Sequence, residues 1–246
     1  MKRTASISQV DPPRWMPGVL ATIAGFVDAC TFVGLFGLFV AQLTGSYVVA
    51  GASMFAPGWP EATVLLAVPT FFAGGVAATL LATIAGANGF PPLACALGLE
   101  TALLAGFAAI MISIAPLPAP PPEAFAAALL GLAAMGAQSA LVRLLLRGVA
   151  STNVMTTNTT QIAIEATQAA LTFARRRRDP EIARQHAAAC RGLARSLPLP
   201  LGFSVGVVSG ALAFAAMGRW VVALPALATA VLTLWALWAE RREGRG

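Results

Sequence analysis

The chain has 246 residues, of which 58% are hydrophobic and 11% are charged, and its mean hydropathy is +0.77. A soluble domain carries about 25% charged residues, so this composition argues against a water-soluble globular protein and favours an all-α protein embedded in a lipid bilayer. The formal net charge is +6, but the polar stretches between the apolar runs are too short to fold as a binding domain, so we expect no nucleic-acid partner.

Six apolar runs of about the length that crosses a bilayer follow one another along the chain. The first run is too long for the apolar core of a cleaved signal peptide, so we interpret it as an uncleaved span. The predicted organisation is one membrane domain, 17–240, between tails at 1–16 and 241–246. The six predicted spans, several of them separated by clusters of proline and glycine, lie at roughly 17–40, 62–85, 93–115, 124–146, 200–217 and 220–239.

The basic residues predict how these spans are oriented. With the N-terminus in the cytoplasm, fifteen of the sixteen lysines and arginines fall on the cytoplasmic side, mostly in the two tails and in an Arg-rich loop at about 147–198. Only Arg219 falls on the other side. The positive-inside rule therefore favours six spans, two cytoplasmic termini and a bacterial-type plasma membrane.

The first apolar run, 17–56, is too long for a single span. Forty residues of helix measure about 60 Å, roughly twice the hydrocarbon thickness. The Thr-Gly-Ser sequence at 44–46 can interrupt the helix, because glycine relaxes the backbone and the two hydroxyls can bond the freed polar groups. We therefore predict a helix to about Val40, a polar break at 44–46, and a half-helix from Tyr47 to Phe55.

Three charged residues lie within the predicted spans. Asp28 lies inside the first span, where a carboxylate costs about 3 kcal/mol and should face the bundle interior with a partner. It fits coupling to a proton or cation, a hydrogen bond to a substrate, or a pair with Gln138 or Ser139 that fastens the helices. Glu100 is expected near the cytoplasmic interface, where it would snorkel or start a helix. Arg143 is expected to anchor the end of the fourth span or to bind an anion.

The two halves of the chain resemble each other in order and register. Each half would hold three spans, at about 17–115 and about 124–240, with a polar break after the first span of each half (spans 1 and 4). An odd number of spans per half forces opposite orientations, which is the inverted-repeat plan of many secondary transporters. Chance similarity between helices rich in alanine, glycine and leucine is the alternative. The aligned segments are Gly25–Ala29 with Gly136–Ala140 (offset 111), Leu43–Ser46 with Met155–Asn158 (offset 112) and Phe72–Thr79 with Phe203–Gly210 (offset 131).

The segment 151–161, STNVMTTNTTQ, is rich in hydroxyl and amide side chains. Lipid cannot solvate that density of polar groups, so we expect the segment to line a cavity, to contact its repeat mate at 44–46, or to lie in the membrane interface. Downstream, apolar residues from Ile162 to Phe173 share one helical face and lead into Arg175–Arg178. This pattern predicts an amphipathic helix on the cytoplasmic surface, with its arginines against anionic lipids.

The residue types that carry catalysis are scarce. His186 is the only histidine, and the three cysteines (Cys30, Cys95 and Cys190) lack the spacing of a metal site or of a disulfide framework. We therefore expect no enzyme activity, no cofactor and no metal.

The polar motifs also resemble a known family. GFVDACTFVGLFGLFVAQLTGS in the first half, and AMGAQSALVR followed by STNVMTTNTTQIAIEA in the second, are similar to the paired signatures of the YoaK-like membrane proteins (domain of unknown function 1275). The resemblance runs from about 15 to 240 and implies a polytopic membrane protein, with no established activity. Ser46, Ser139 and Gln161 stand where that family usually has Asn, Asn and Asp.

The expected function is that of a small secondary transporter or permease for a small solute, within a lipid bilayer. A structural or regulatory membrane protein, whose polar groups only fasten the bundle, is the alternative. A homodimer is considered because six helices can use a second copy to complete a path. The candidate substrate-binding residues are Asp28, Gln42, Thr44, Gly45, Ser46, Gln138, Ser139, Thr156, Thr157 and Asn158, with Glu100 and Arg143 as further polar groups.

Overall fold

The computed structural model describes residues 9–35, 37–53, 61–114, 122–150, 152, 154–177 and 179–243. These residues form α-helices joined by short connections, as the composition predicts, and the described part of the chain contains no strand longer than an isolated bridge. The helices are α1 (Met16–Gly34), α2 (Leu43–Ser53), α3 (Glu61–Ala87), α4 (Pro92–Ser113), α5 (Pro122–Leu145), α6 (Met155–Phe173), α7 (Pro180–Ser196), α8 (Pro198–Met217) and α9 (Ala223–Glu243), with a 3₁₀ helix at Gly218–Val222 between the last two.

Five helical stretches in the described residues are long and apolar enough to cross a membrane, so the fold is that of a multi-pass membrane protein. The fifth covers 63 residues and contains α7, α8, the 3₁₀ helix and α9. The five stretches are Met16–Gly34, Leu65–Ala87, Pro92–Ser113, Glu123–Leu145 and Pro180–Arg242.

The break in the first apolar run is real, but its predicted position is wrong. α1 ends at Gly34 rather than near Val40, and the described residues before α2, 35 and 37–42, are not helical. Gly37 adopts the left-handed backbone conformation (φ 83°) that L side chains rarely adopt, and its N–H donates to the Phe32 carbonyl (2.7 Å), which closes the last turn. The Thr-Gly-Ser sequence at 44–46 instead forms the first turn of α2. The predicted end of this half-helix at Phe55 lies outside the described residues.

The Arg-rich stretch at about 147–198 contains α6, where the sequence predicted a helix over Ile162–Phe173, and a second helix, α7, which it did not predict. α7 starts at Pro180, directly after Asp179, whose carboxylate accepts a hydrogen bond from the Glu181 N–H (2.8 Å). An Asp cap followed by proline is a start signal for a helix, and it was present in the sequence. The two helices form an antiparallel hairpin that is held in part by Glu165 of α6, which accepts a hydrogen bond from the Ser196 hydroxyl (2.9 Å).

α1 packs against α8 at a distance that only glycine allows. A Cβ atom on Gly25 would lie 2.2 Å from the Phe203 carbonyl oxygen, and one on Gly206 would lie 2.1 Å from the Thr22 carbonyl oxygen. Such distances are far below van der Waals contact. The backbones of the two helices therefore touch directly, as in the small-residue contacts typical of membrane helices.

α5 packs against α3 in the same manner. A Cβ atom on Gly136 would lie 2.0 Å from the Phe71 carbonyl oxygen, and one on Gly74 would lie 2.1 Å from the Ala133 carbonyl oxygen. α4 then lies against α5 and α9 and closes the bundle. The most tightly buried side chains of α1, α4 and α5 meet in one core.

Two adjacent glycines of α3 allow a matched test of this close approach. A methyl group at Gly74 would meet backbone that cannot move aside, whereas the nearest atom to a methyl group at Gly75 would be 3.5 Å away, an ordinary contact. We expect Gly74→Ala to destabilise the bundle by about 1–3 kcal/mol or more, as overpacking does, and Gly75→Ala to be nearly neutral. Thermal unfolding in detergent measures both, and equal melting temperatures for the two variants would contradict this packing.

Candidate functional site

Asp28 is the centre of the candidate site. It lies on α1 with 3% of its surface exposed, and its Oδ1 atom accepts hydrogen bonds from the backbone N–H groups of Val40 (2.8 Å) and Ala41 (2.7 Å). Its second oxygen, Oδ2, is buried and has no hydrogen-bond partner among the described residues. One carboxylate oxygen thus holds the chain just before α2.

The chemistry of the break explains this arrangement. Val40 and Ala41 lie in the non-helical segment, so their N–H groups lack the carbonyl partners that a continuous helix would supply. An ionised carboxylate is the strongest acceptor that a side chain offers, and it also suits the positive end of the helix dipole of α2. The hydroxyl of Ser46 completes the turn by donating to the Phe39 carbonyl (3.0 Å).

Gln138 fastens a second region of the bundle. It is completely buried on α5, and its Nε2 donates to the Leu20 carbonyl of α1 (2.8 Å) and to the Thr152 hydroxyl (3.2 Å). Thr152 lies in the connection between α5 and α6 and is also fully buried. Gln138 therefore joins α1, α5 and the segment before α6, while its Oε1 is buried without a partner among the described residues.

Asp28 and Gln138 lie at two different levels of the bundle. The contact of Gln138 with Leu20 fixes the register of α1 against α5. Asp28 is eight residues further along α1, which is about 12 Å along the helix axis. The hydrogen bonds of Asp28 run to the backbone of the break and not to Gln138. The structure thus does not form the Asp28–Gln138 pair that the sequence left open, and half-buried Ser139 lies beside Gln138 on α5.

The other candidate residues lie around the starts of α2 and α6. Gln42 is half-buried, and its carbonyl accepts from the Gly45 N–H (3.0 Å), while Thr44 is exposed. At the start of α6, Thr156 and Thr157 are exposed and Asn158 is buried. Within the described residues, α2 packs on α3 while α6 packs on α7 and α8. These two helices do not pack on each other in that part of the chain, so α2 and α6 form no contact between the repeat mates 44–46 and 155–161.

Glu100 neither snorkels to the surface nor starts a helix, which are the roles that the sequence suggested. The side chain is completely buried on α4, and neither carboxylate oxygen has a hydrogen-bond partner among the described residues. The reason is register: Glu100 shares the inward face of α4 with Leu97, Leu104 and Phe107, which are also buried. Arg143, in contrast, is exposed in the last turn of α5, where an anchor of that helix would lie.

Sequence reasoning did not single out Thr152 or Glu165. Glu165 is buried on α6, where it accepts from Gln161 Nε2 (2.8 Å) as well as from Ser196. The signal that could have found it is a carboxylate on an otherwise weakly charged helix, four residues after a glutamine. Among the described residues, no three His, Cys, Asp or Glu side chains lie close enough together to hold a metal ion.

A family model described as "Protein of unknown function (DUF1275)" matches residues 17–235. The match covers most of the chain and confirms the resemblance of the paired motifs, so the chain belongs to this family. No curated protein and no solved structure matches it.

The role of Asp28 in holding the break predicts a graded response to substitution. Asp28→Leu removes the acceptor of two buried N–H groups, and each buried donor without a partner costs about 1–3 kcal/mol. Asp28→Asn retains a side-chain oxygen and should lose much less stability. The measurement is thermal unfolding in detergent, with Asp11→Asn as the control because Asp11 is an exposed partner of Arg147. If the leucine variant melted at the wild-type temperature, Asp28 would not be holding the break.

Proposed function

We propose that this member of the DUF1275 family is a small secondary transporter or permease for a small solute, and not an enzyme. The observation that carries the proposal is the buried carboxylate of Asp28, which holds the break between α1 and α2 inside one apolar run. Its Oδ2 atom has no hydrogen-bond partner among the described residues. Intramembrane carboxylates are rare and mark substrate and ion pathways. Transporters of several folds bind their solutes at such discontinuous helices.

A six-span topology is part of this proposal, and the N-terminal segment supports it. Val10 donates to the Leu145 carbonyl (2.8 Å) and accepts from the Arg147 N–H (3.0 Å), so the start of the chain lies at the end of α5. If α5 ends on the side of the membrane where α1 begins, the chain crosses the membrane an even number of times between these two points. The four apolar helices α1, α3, α4 and α5 supply these crossings. The 63-residue helical stretch would measure about 95 Å as one helix, but the 3₁₀ helix at Gly218–Val222 divides its apolar part into α8 and α9.

The inverted repeat is the second structural part of the proposal. The two glycine-lined interfaces, α1 with α8 and α5 with α3, are the same interface if α1 corresponds to α5 and α3 to α8. Each residue in contact at one interface corresponds to a residue in contact at the other, with one offset in residue number between α1 and α5 and another between α3 and α8. The second offset is 132, where the aligned sequences suggested 131. The corresponding pairs are Thr22 with Ala133 and Gly25 with Gly136 (offset 111), and Phe71 with Phe203 and Gly74 with Gly206 (offset 132).

The orientation follows from the distribution of basic residues. Both tails and the α6–α7 hairpin carry the excess of lysine and arginine, so the proposal places them in the cytoplasm of a bacterial-type plasma membrane. Asp28 would then lie at the outer level and Gln138 at the inner level of the bundle, because α1 runs outward from the cytoplasmic tail.

The chemistry of the site indicates what the solute offers. The buried atoms without partners near the two breaks, Asp28 Oδ2 and Gln138 Oε1, are both acceptors. A solute that carries hydrogen-bond donors or a positive charge, such as an amine, a polyol or a cation, would satisfy them. In this proposal Gln42, Thr44, Gly45 and Ser46 contribute at the outer level, and Ser139, Thr156, Thr157 and Asn158 contribute at the inner level.

A structural role is the second candidate. The two hydrogen bonds of Asp28 Oδ1 fasten α1 to the segment before α2, and those of Gln138 fasten α5 to α1. A bundle could contain both groups for this reason alone. The distinguishing property is whether Asp28 responds to a solute.

A solute screen separates the two candidates. Wild-type protein is tested by thermal shift against ions, amino acids, sugars, nucleobases and organic acids at two pH values, and any stabilising solute is then tested for flux in proteoliposomes. We expect Asp28→Asn to retain folded yield and to abolish the stabilisation and the flux, because it removes the charge but keeps an oxygen. Glu123→Gln, which alters an exposed carboxylate in the first turn of α5, should behave as wild type.

Two outcomes of this screen would contradict a transport role. The first is that no solute stabilises the wild-type protein at either pH. The second is that Asp28→Asn collapses the folded yield while no flux is detected for wild type, which is what a purely structural carboxylate predicts.

We also propose that anionic lipids bind the turn of the α6–α7 hairpin. Arg175 and Arg177 are exposed there, whereas Arg176 contacts His186 Nε2 (3.1 Å) and lies over the Phe173 ring. Arg178, named in the same prediction, lies outside the described residues. Clusters of exposed arginine beside a bilayer attract anionic headgroups by about 1 kcal/mol each.

Native mass spectrometry of protein extracted with phosphatidylglycerol tests this contact. The double variant Arg175→Gln/Arg177→Gln should retain less of the lipid than wild type, by roughly thirtyfold if each of the two charges contributes about 1 kcal/mol. Arg184→Gln is the matched control, because Arg184 already pairs with Glu181 on α7. Equal retention by all three proteins would exclude lipid binding at this turn.

A further inference from the structure

Glu100 is a second buried carboxyl group that the Asp28 site does not use. It is 0% exposed, and both of its oxygens lack hydrogen-bond partners among the described residues. An ionised carboxylate in such surroundings carries a desolvation penalty of several kcal/mol unless a partner offsets it. This penalty is comparable to the net free energy of unfolding of a whole domain. The buried Glu100 carboxyl group therefore needs a partner that removes or balances its negative charge.

The register of α4 against α5 places Glu100 opposite Gln138. A Cβ atom on Gly106 would lie 3.2 Å from Leu130 Cδ1, and one on Gly131 would lie 3.7 Å from Phe107 Cδ2. These contacts pair 106–107 of α4 with 130–131 of α5, and the two helices run antiparallel. Seven residues is close to two helical turns, so a step of seven residues returns to the same face of a helix. Seven residues back from Phe107 is Glu100, and seven residues on from Gly131 is Gln138, so these two residues face each other at one level.

The orientation of the Gln138 amide is fixed by its partners. Leu20 offers a carbonyl oxygen, which can only accept, so the nitrogen of Gln138 must point at it. The oxygen, Oε1, is then the atom that remains buried without a donor. At this level of the bundle, Glu100 Oε1, Glu100 Oε2 and Gln138 Oε1 are all acceptors.

Charged groups that could pair with Glu100 lie far from this level. Among the described residues of the elements packed on α4, the acidic and basic side chains occur in the terminal turns of α3, α5 and α9 and in the 3₁₀ helix. Glu240 of α9 is already bonded to the N-terminal amides of α4. The charged residues at these helix ends and in the 3₁₀ helix are Glu61, Glu123, Arg143, Arg219, Glu240, Arg241, Arg242 and Glu243.

We propose that Glu100 and Gln138 form a membrane-embedded proton-binding site, in which Glu100 carries the proton and donates it in a hydrogen bond to Gln138 Oε1. A single proton turns one of three acceptors into a donor and removes the negative charge from the apolar core. The site is about 12 Å along the bundle from Asp28. Because Gln138 also donates to Thr152, loss of the proton would place a negative charge beside the amide that holds the connection to α6.

Infrared spectroscopy of the protein in lipid observes this proton directly. A protonated carboxylic acid gives a C=O stretching band that an ionised carboxylate lacks, and exchange into D₂O shifts it. We expect wild-type protein at neutral pH to show such a band and Glu100→Gln to lose it. Asp28→Asn and Glu123→Gln are the controls and should retain it. Gln138→Leu should shift the band to higher frequency, because the hydrogen bond to the amide oxygen is lost.

Three results would overturn the proposal. Wild-type protein could show no carboxylic-acid band at neutral pH, or Glu100→Gln could leave the band unchanged. Glu100 could also bind a metal cation instead, in which case Na⁺ or K⁺ would raise the melting temperature of wild type and not of Glu100→Gln. None of these measurements requires a transported solute, so failure of this site and failure of the transport proposal are separate outcomes.

Discussion

A backbone N–H group inside a bilayer has no water to bond, and the rest of this structure depends on how Val40 and Ala41, just before α2, meet that constraint. The first apolar run is too long for one span and must leave the helix somewhere. Asp28 offsets the cost of leaving the helix, because one of its carboxylate oxygens accepts hydrogen bonds from the N–H groups of both Val40 and Ala41. The chain can then turn and begin α2 within the apolar part of the molecule. A neutral side chain of the same size would offer a weaker acceptor and no favourable interaction with the helix dipole.

The tight helix contacts follow from a second constraint, which is that apolar side chains gain little by leaving lipid for protein. The bundle therefore relies on close backbone contact at glycine. Gly25 and Gly206 join α1 to α8, and Gly74 and Gly136 join α3 to α5. These two contacts position α1 and α5, which carry Asp28 and Gln138. The polar residues can thus occupy defined levels in a bundle that has few other polar contacts in its middle.

The sequence predicted the helical fold and the need for a break, because the length and hydropathy of each apolar run can be read along the chain without knowing how it folds. The paired motifs identified the family. It misplaced the break, because Thr, Gly and Ser at 44–46 look like a stop signal, while the residues that end α1 are Gly34 and Gly37. Which amides Asp28 would accept could not be foreseen, since that depends on how the chain folds back. Glu100 was misassigned for a similar reason. Its distance from the span end suggested an interface, and only the packing of α4 on α5 shows that it faces the core.

The central claim is that the Asp28 carboxylate holds the non-helical segment before α2. Amide hydrogen exchange at Val40 and Ala41, followed residue by residue in lipid nanodiscs, tests it most directly. The account predicts that both amides exchange slowly in wild type, although they lie outside any helix, and that Asp28→Leu accelerates their exchange while leaving the middle of α5 protected. Exchange as fast in wild type as in the leucine variant would contradict it.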